Sequence, residues 1–551
     1  MVDRNMEKSE KSQRRTRELI KSILGEVPLT AELYWLIRNR GKAIRTRFSL
    51  ADLEENIPEI IADLDEYTQE NPDKKNILVF ATLHYWISNA TLIASALSGM
   101  GHEVHFGYLP YHDWFNPINR FDLRRQNLYA QNVLKKLNPH VMAFSFLNIF
   151  AGYKTLPPEL AQRVEMVSRY DTQYTLQVEN VDTDDPVYKL RMERNESFAR
   201  AALAWMTTNK PDVVVVPNGT IQEFAVAYEV AKYLGIPVTT YEFGDQRQRA
   251  WIAQDDKVMS QNTDALWTAY GNKELTRSET RKIHELFEAR RKASIWKNFS
   301  RLWQRAPAKG VAKARKELGL DDQRPVVLLA TNVLGDSLTL GREVFTHCME
   351  EWIVRTLQYF VGKPNVQLVI RVHPGEMLIH GQSMVDVIEH FLPELPEHIH
   401  VIKPEDPTNT YDVIAAADLG LVYTTTVGME MAMSGVPVIV VGETHYKEKG
   451  FTYDPRSWVK YYKLIGAVLQ DPSGYRLSDE KINLAWSYAY RFFFDFPRPM
   501  PWHMSRIWDD YAQNPLSKVL SENGLQKFGA TFRYLAGEPI DWEVIRDEEA
   551  E

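Results

Sequence analysis

QLVIRVHPGE at residues 367–376, YDVIAAADLGLVYTTTVGMEMAMSGVPVIVVG at 411–442 and YKEKGFTYDP at 446–455 set the fold. In the first stretch an apolar run over 368–372 is a buried strand that stops at Arg371, His373 and Pro374. Proline cannot continue the strand, so the chain turns where the polar groups sit. In the second, residues 419–423 read as a strand that opens into Thr424, Thr425, Thr426 and Gly428. Residues 429–434 then read as a helix, closed by Gly435. A strand, a hydroxyl-rich turn and a helix N-terminus form an anion site, because free backbone N–H groups and the helix dipole both favour negative charge.

Outward from these stretches the same alternation continues. PVVLLATNVLGDS at 325–337 is a strand opening into a loop with Asn332, Gly335, Asp336 and Ser337, and residues 344–360 are patterned as a long amphipathic helix. HIHVIKP supplies a further strand. Upstream, ILVFAT, HEVHFGYL, VMAFSFL, DVVVVPNG and IPVTTYEFG are short apolar strands separated by helical patterns. Such alternation predicts parallel sheets covered on both faces, in two doubly wound units that face a cleft. The expected divisions are a helical N-terminal extension (1–75), a first lobe (76–289), a basic linker (290–322), a second lobe (323–480) and an aromatic C-terminal segment (481–551) that crosses back to the first lobe or caps the second. Residues 19, 20, 23 and 24 are spaced as one helix face, and 151–196 read as an irregular insertion with helical pieces.

Composition narrows the function classes. With 551 residues the chain exceeds one hydrophobic core, and its net charge of −8 gives no reason to expect nucleic acid. One cysteine, Cys348, excludes an intrachain disulfide and thiolate zinc sites. No apolar leader and no apolar run of bilayer length is present, so the expectation is a cytoplasmic protein with at most a peripheral contact at the inner membrane face. The basic segment 290–316, with Trp296, Phe299 and Trp303 interleaved, reads first as a linker and second as a contact with anionic lipid. GxGxxG, GxSxG and HExxH are absent, which argues against dinucleotide oxidoreductases, nucleophile-elbow hydrolases and zinc proteases. Asp182-Thr183-Asp184 spells DxD but sits before Pro186 as a capping turn.

RVHP, the 411–442 stretch and GFTYDP together resemble the capsule polysaccharide biosynthesis glycosyltransferases, the group that includes bacterial Kdo transferases with two Rossmann-like lobes (GT-B). DVVVVPNGTIQEFAVAYEVAKYLGIPVTTYEFG looks like the N-terminal lobe of that group, and YAYRFFFDFP is similar to its C-terminal region. The resemblance implies that Arg371, His373, Thr424, Thr425 and Thr426 hold the nucleotide phosphates of a sugar donor. Related enzymes usually carry Ser-Thr where this chain has three threonines. Fixed donors aimed at the leaving phosphate lower the barrier, so no metal or other cofactor is expected. Glu430 has two readings, a ribose contact or a first-turn carboxylate complementing the dipole. Asn332 and Ser337 are candidate donor contacts on the loop after the first strand of the second lobe.

An acceptor hydroxyl must lose its proton as it attacks, which needs a carboxylate or histidine at the cleft. The first lobe offers Glu242 and Glu223 as the leading candidates, with His84 and Asp245 behind them. The expected function is a metal-independent transferase moving a sugar from a nucleotide-sugar, CMP-Kdo or another, to a cell-surface glycan or glycolipid. The alternatives are a non-hydrolysing nucleotide-sugar 2-epimerase and a non-catalytic scaffold of the same fold.

Overall fold

The computed structural model describes residues 16, 18–39, 48–152, 154–271, 273–302, 304–378 and 381–543. Trp303 and all of the first fifteen residues of the N-terminal extension therefore lie outside the described residues, as do 40–47. The strands are, in chain order, β1 (Asn76–Thr82), β2 (Glu103–Leu109), β3 (Val141–Ser145), β4 (Val213–Pro217), β5 (Val238–Glu242), β6 (Arg249–Gln254), β7 (Val326–Ala330), β8 (Gln367–Arg371), β9 (Ile399–Ile402), β10 (Leu419–Val422), β11 (Val438–Val440) and β12 (Arg498–Pro499). They form two sheets, ordered β12-β6-β5-β4-β1-β2-β3 and β11-β10-β7-β8-β9.

Each sheet has the doubly wound plan. β3-β2-β1-β4-β5 are parallel, with Val79 opposite Val215 and Thr82 opposite Leu109, and β6 then runs antiparallel to β5. All five strands of the second sheet are parallel, with Leu329 facing Ile370 on one side and Leu421 on the other. The order in which strands are added reverses at β1/β4 in the first sheet and at β7/β10 in the second. Ligands bind at such switch points, beyond the carboxyl ends of the strands.

The strands hold because both faces are apolar. Val326 and Leu328 join the core that contains Val438, Tyr488 and Phe492, whereas Val327 and Leu329 join the one that contains Trp352, Leu357 and Tyr461. This is the two-residue period of a strand buried between two layers of helices.

Three segments differ from their sequence reading. Residues 158–209 are two long helices, Pro158–Leu176 and Pro186–Asn209, packed on each other instead of an irregular insertion. The helix expected over 344–360 begins later, as Met349–Val361. On the N-terminal helix, Leu19, Ile20 and Ile23 face outward. At the other end, β12 pairs with β6, and Met500, Trp502, Phe528 and Phe532 lie in the first lobe's core, so the C-terminal segment crosses back to the first lobe.

Among the described residues no helix is long and apolar enough to cross a membrane.

Candidate functional site

The carboxyl edges of both sheets open onto one cavity of about 390 Å³. Asn218 follows β4, Glu242 ends β5, and Gly244 and Asp245 come just after it. From the second lobe come Asn332, Asp336 and Ser337 after β7, His373 after β8, the three threonines after β10, and Glu443, Thr444 and His445 after β11. Each reaches the cavity because its strand ends there, which is the geometric content of the switch-point rule.

The threonine turn is held from below. Tyr446 donates its hydroxyl hydrogen to the Thr425 carbonyl at 2.6 Å, and Thr444 Oγ1 donates to the Thr424 carbonyl at 3.2 Å. The Thr424 N–H donates to Asn332 Oδ1 at 3.2 Å, tying the loops after β7 and β10 together. Thr424 Oγ1 is buried without a protein partner. Gly428 opens the helix Val427–Met433 over the Tyr446 ring, and a Cβ there would come within 2.8 Å of Val422 Cγ2.

His373 enters the site as a neutral group. Its Nδ1 accepts the Gly375 N–H at 3.0 Å, and burial, with Arg301 and Arg371 nearby, lowers its pKa to about 4. With Nδ1 committed as acceptor, the ring proton is on Nε2, which makes that atom a donor. Cations at the cavity come from Arg301 and Arg342. Arg342 also bonds the Met259 carbonyl of the first lobe, so it spans the two lobes.

The cavity's carboxyls come from both lobes, Glu242 and Asp245 from the first and Asp336 and Glu443 from the second. Glu242 accepts from Asn218 Nδ2 at 3.0 Å and from the Phe243 N–H at 2.9 Å. Burial nonetheless raises its pKa, against the pull of both hydrogen bonds. Burial likewise raises Asp245, opposed by Arg301, and Asp336, opposed by the Leu338 N–H. A carboxyl whose environment resists ionisation has more basicity to offer an acceptor hydroxyl near neutral pH.

Three expected site residues are placed elsewhere. The Arg371 guanidinium donates to the Lys403 carbonyl at 2.8 Å and toward the Asp406 carbonyl at 3.5 Å, so it braces the turn after β9 and does not line the cavity. Glu430 is buried against Arg290 at 3.1 Å, which removes it from a ribose. Glu223 is sealed in a network in which Arg191 pairs with it at 3.0 Å and with Asp171 at 3.1 Å. Its side chain is 2 % exposed, so no acceptor can reach it. Of the loop that follows β11, Lys447 pairs with Glu443 and Lys449 with Asp264 of the first lobe.

His445 is a site residue that the sequence did not announce. Its ring stacks on Phe492 with centroids 3.8 Å apart and planes 9° apart, and burial lowers its pKa to about 3. Tyr488 donates its one proton to the His445 carbonyl at 2.6 Å, so the 2.9 Å contact with Nδ1 is made by an N–H donating to the phenol oxygen. Nε2 is then a bare acceptor, buried with no protein partner. A single histidine in a loop carries no periodicity, and its stacking partner lies on a helix close to fifty residues away.

The DxD at 182–184 is a turn in which Asp182 Oδ1 accepts the Asp184 N–H at 2.8 Å. Among the described residues no three His, Cys, Asp or Glu side chains are grouped as metal ligands.

Residues 276–461 match the family model described as capsule polysaccharide biosynthesis protein. No curated protein matches the chain. Among solved structures, the chain is similar to the beta Kdo 2,4 transferase of Thermosulfurimonas dismutans KpsC, at 16% identity over 53% of this chain and 82% of that one, TM-score 0.34. The beta Kdo 2,7 transferase of the same protein matches at 13% identity over 57% and 89%, TM-score 0.31. UDP-GlcNAc 2-epimerase from Neisseria meningitidis, bound to UDP-GlcNAc, matches at 12% identity over 76% and 98%, TM-score 0.24.

Proposed function

We propose, from the match of residues 276–461 to the model described as capsule polysaccharide biosynthesis protein and from the cavity between the two sheets, that this chain is a glycosyltransferase. It takes a sugar from a nucleotide-sugar donor, CMP-Kdo or a relative, and delivers it to a cell-surface glycan or glycolipid at the cytoplasmic face of the membrane. The observation that carries this reading is the single cavity shared by the carboxyl edges of both sheets, with donors from the second lobe facing carboxyls from the first.

In the proposed reaction the donor's phosphate lies against the threonine turn and the His373 Nε2–H, with Arg301 and Arg342 supplying positive charge. The acceptor hydroxyl gives its proton to Glu242 while its oxygen bonds to the anomeric carbon. The bond from that carbon to the phosphate oxygen breaks, and its electron pair leaves with the nucleotide. Charge grows on the leaving phosphate in the transition state, so donors already fixed by the fold act where they lower the barrier most. Metal independence is part of this proposal: two guanidinium groups and the turn supply the charge a divalent ion would otherwise bring.

Incubating the protein with CMP-Kdo and a membrane-derived glycolipid, then following label into the glycolipid and free CMP, tests the reading. Transfer that depends on both substrates supports it. Isomerisation of a nucleotide-sugar without acceptor would favour an epimerase, and nucleotide binding with no turnover over a donor and acceptor panel would favour a scaffold.

A further inference from the structure

The helical segment ahead of the first lobe is mounted with its polar side toward the protein. Residues 18–26 are helical, a turn follows, and Thr30–Tyr34 continues as a π-helical turn, Trp35–Asn39. The segment rests on the helix Arg120–Leu134. Lys21 pairs with Asp122 at 2.7 Å, Arg120 with Glu26 at 2.5 Å, and Arg124 Nε donates to Glu32 at 2.9 Å. Arg124 Nη1 also donates to the carbonyls of Gly25 and Val27, at 3.0 and 2.8 Å. A Cβ on Gly25 would lie 2.8 Å from the Phe121 nitrogen, so the crossing is close and admits little rotation.

An amphipathic helix on a globular protein ordinarily buries its apolar stripe. Here the ion pairs hold the stripe outward. Of the twenty-two exposed large apolar side chains among the described residues, nine fall between positions 19 and 37. Leu19, Ile20 and Ile23 recur at helical spacing on the first helix and Leu33, Leu36 and Ile37 on the second, and Ile37 is 75% exposed. Ala31 and Trp35, by contrast, are buried.

We infer that this segment is a docking surface for an anionic lipid bilayer, lying in the interface with its apolar stripe among the acyl chains. The charge of its flanks selects the occupant. Residues 1–17 carry six Lys and Arg against three Asp and Glu, and residues 40–47 carry four against none, although the whole chain is at −8. An apolar stripe bounded by basic segments matches a headgroup layer of negative charge. A second copy of the chain would bring like-charged flanks together, which opposes a self-association through this face. The segment 290–316 is less suited to the role, because Trp296 packs on Phe494 and Phe299 is buried.

Co-flotation of the full chain with phosphatidylcholine vesicles, with and without phosphatidylglycerol, tests this, alongside the double variant Ile23→Glu/Leu36→Glu. Both substituted side chains are exposed, so circular dichroism and the melting point should match wild type. The expected result is flotation of wild type with the anionic vesicles alone, lost on adding salt, and at least tenfold weaker partitioning of the variant. Absence of wild-type flotation, or equal flotation of the variant, overturns the inference. So does a wild-type dimer by light scattering that the variant converts to monomer without vesicle binding. The readout is partitioning and not turnover, so its failure is distinct from a failure of the catalytic reading.

Discussion

Glu242 accepts two hydrogen bonds at the end of β5, and burial still holds its pKa above the ordinary carboxylate value. The base form therefore appears only as pH rises past that raised value, and kcat/KM should climb over a range above about 4.3, the usual glutamate pKa. The stability contribution has the opposite sign: it is present below the unfolded value and is lost as pH rises through the folded one. Glu242→Gln should lower kcat by about 10²- to 10⁴-fold with KM little changed and remove that acid limb, as steady-state pH profiles would show. Glu223→Gln should behave otherwise. Disturbing its buried pair with Arg191 should cost about 3 kcal/mol of stability, read by denaturant unfolding, with turnover per folded molecule retained.

His373, depressed to about 4, should stay neutral from pH 8 down to 5, so ring-nitrogen NMR should show no titration near 6.5. A depressed histidine disfavours the protonated folded state, so stability falls as pH drops below the unfolded value toward 4. The threonine turn and His373 were legible because strand, turn and helix are adjacent in sequence. Arg371 was misread because its acceptors, the Lys403 and Asp406 carbonyls, lie on a turn some thirty residues away that no local pattern reveals.

At the scale of elements, the helix Arg277–Arg291 is bound to the second lobe by Arg290, which pairs with Glu430 at 3.1 Å and stacks on Phe493 with its guanidinium 4.5 Å from the ring centre. Arg290→Ala leaves the Glu430 carboxylate buried and unpaired, which should cost about 3 to 5 kcal/mol, whereas the double variant Arg290→Met/Glu430→Gln should recover much of it. Thermal unfolding of the three proteins would show the difference. The strands were readable from continuous apolar runs, which only a doubly covered sheet explains. The helices over 158–209 were obscured by their own interior, where Arg191, Asp171 and Asn195 occupy buried positions and break the amphipathic stripe. The N-terminal helix was legible as a helix. Which way its apolar face points depends on ion pairs to residues about a hundred positions later.

Across the whole molecule the two lobes are joined by more than one linker. The chain runs from the second lobe back to the first, where β12 extends the sheet and Trp502, fully buried, donates to the Asn514 carbonyl at 2.9 Å. Truncation after Pro497 removes Met500, Trp502, Phe528 and Phe532 from the first core, and the shortened chain should aggregate on expression instead of folding. That the chain has two doubly wound lobes could be read from its strand pattern. That they face a common cleft at their strand ends followed from the same pattern, whereas the reach of Arg342 across it to the Met259 carbonyl did not, because that contact depends on packing between segments far apart in sequence.

The central claim is that this cavity holds a nucleotide through the donors of the second lobe. Calorimetric titration of CMP, UDP and GDP into wild type and into His373→Ala measures it directly. One nucleotide should bind wild type and bind the variant at least about tenfold more weakly, a loss of about 1.4 kcal/mol. No binding to wild type, or equal binding to both proteins, would contradict the account.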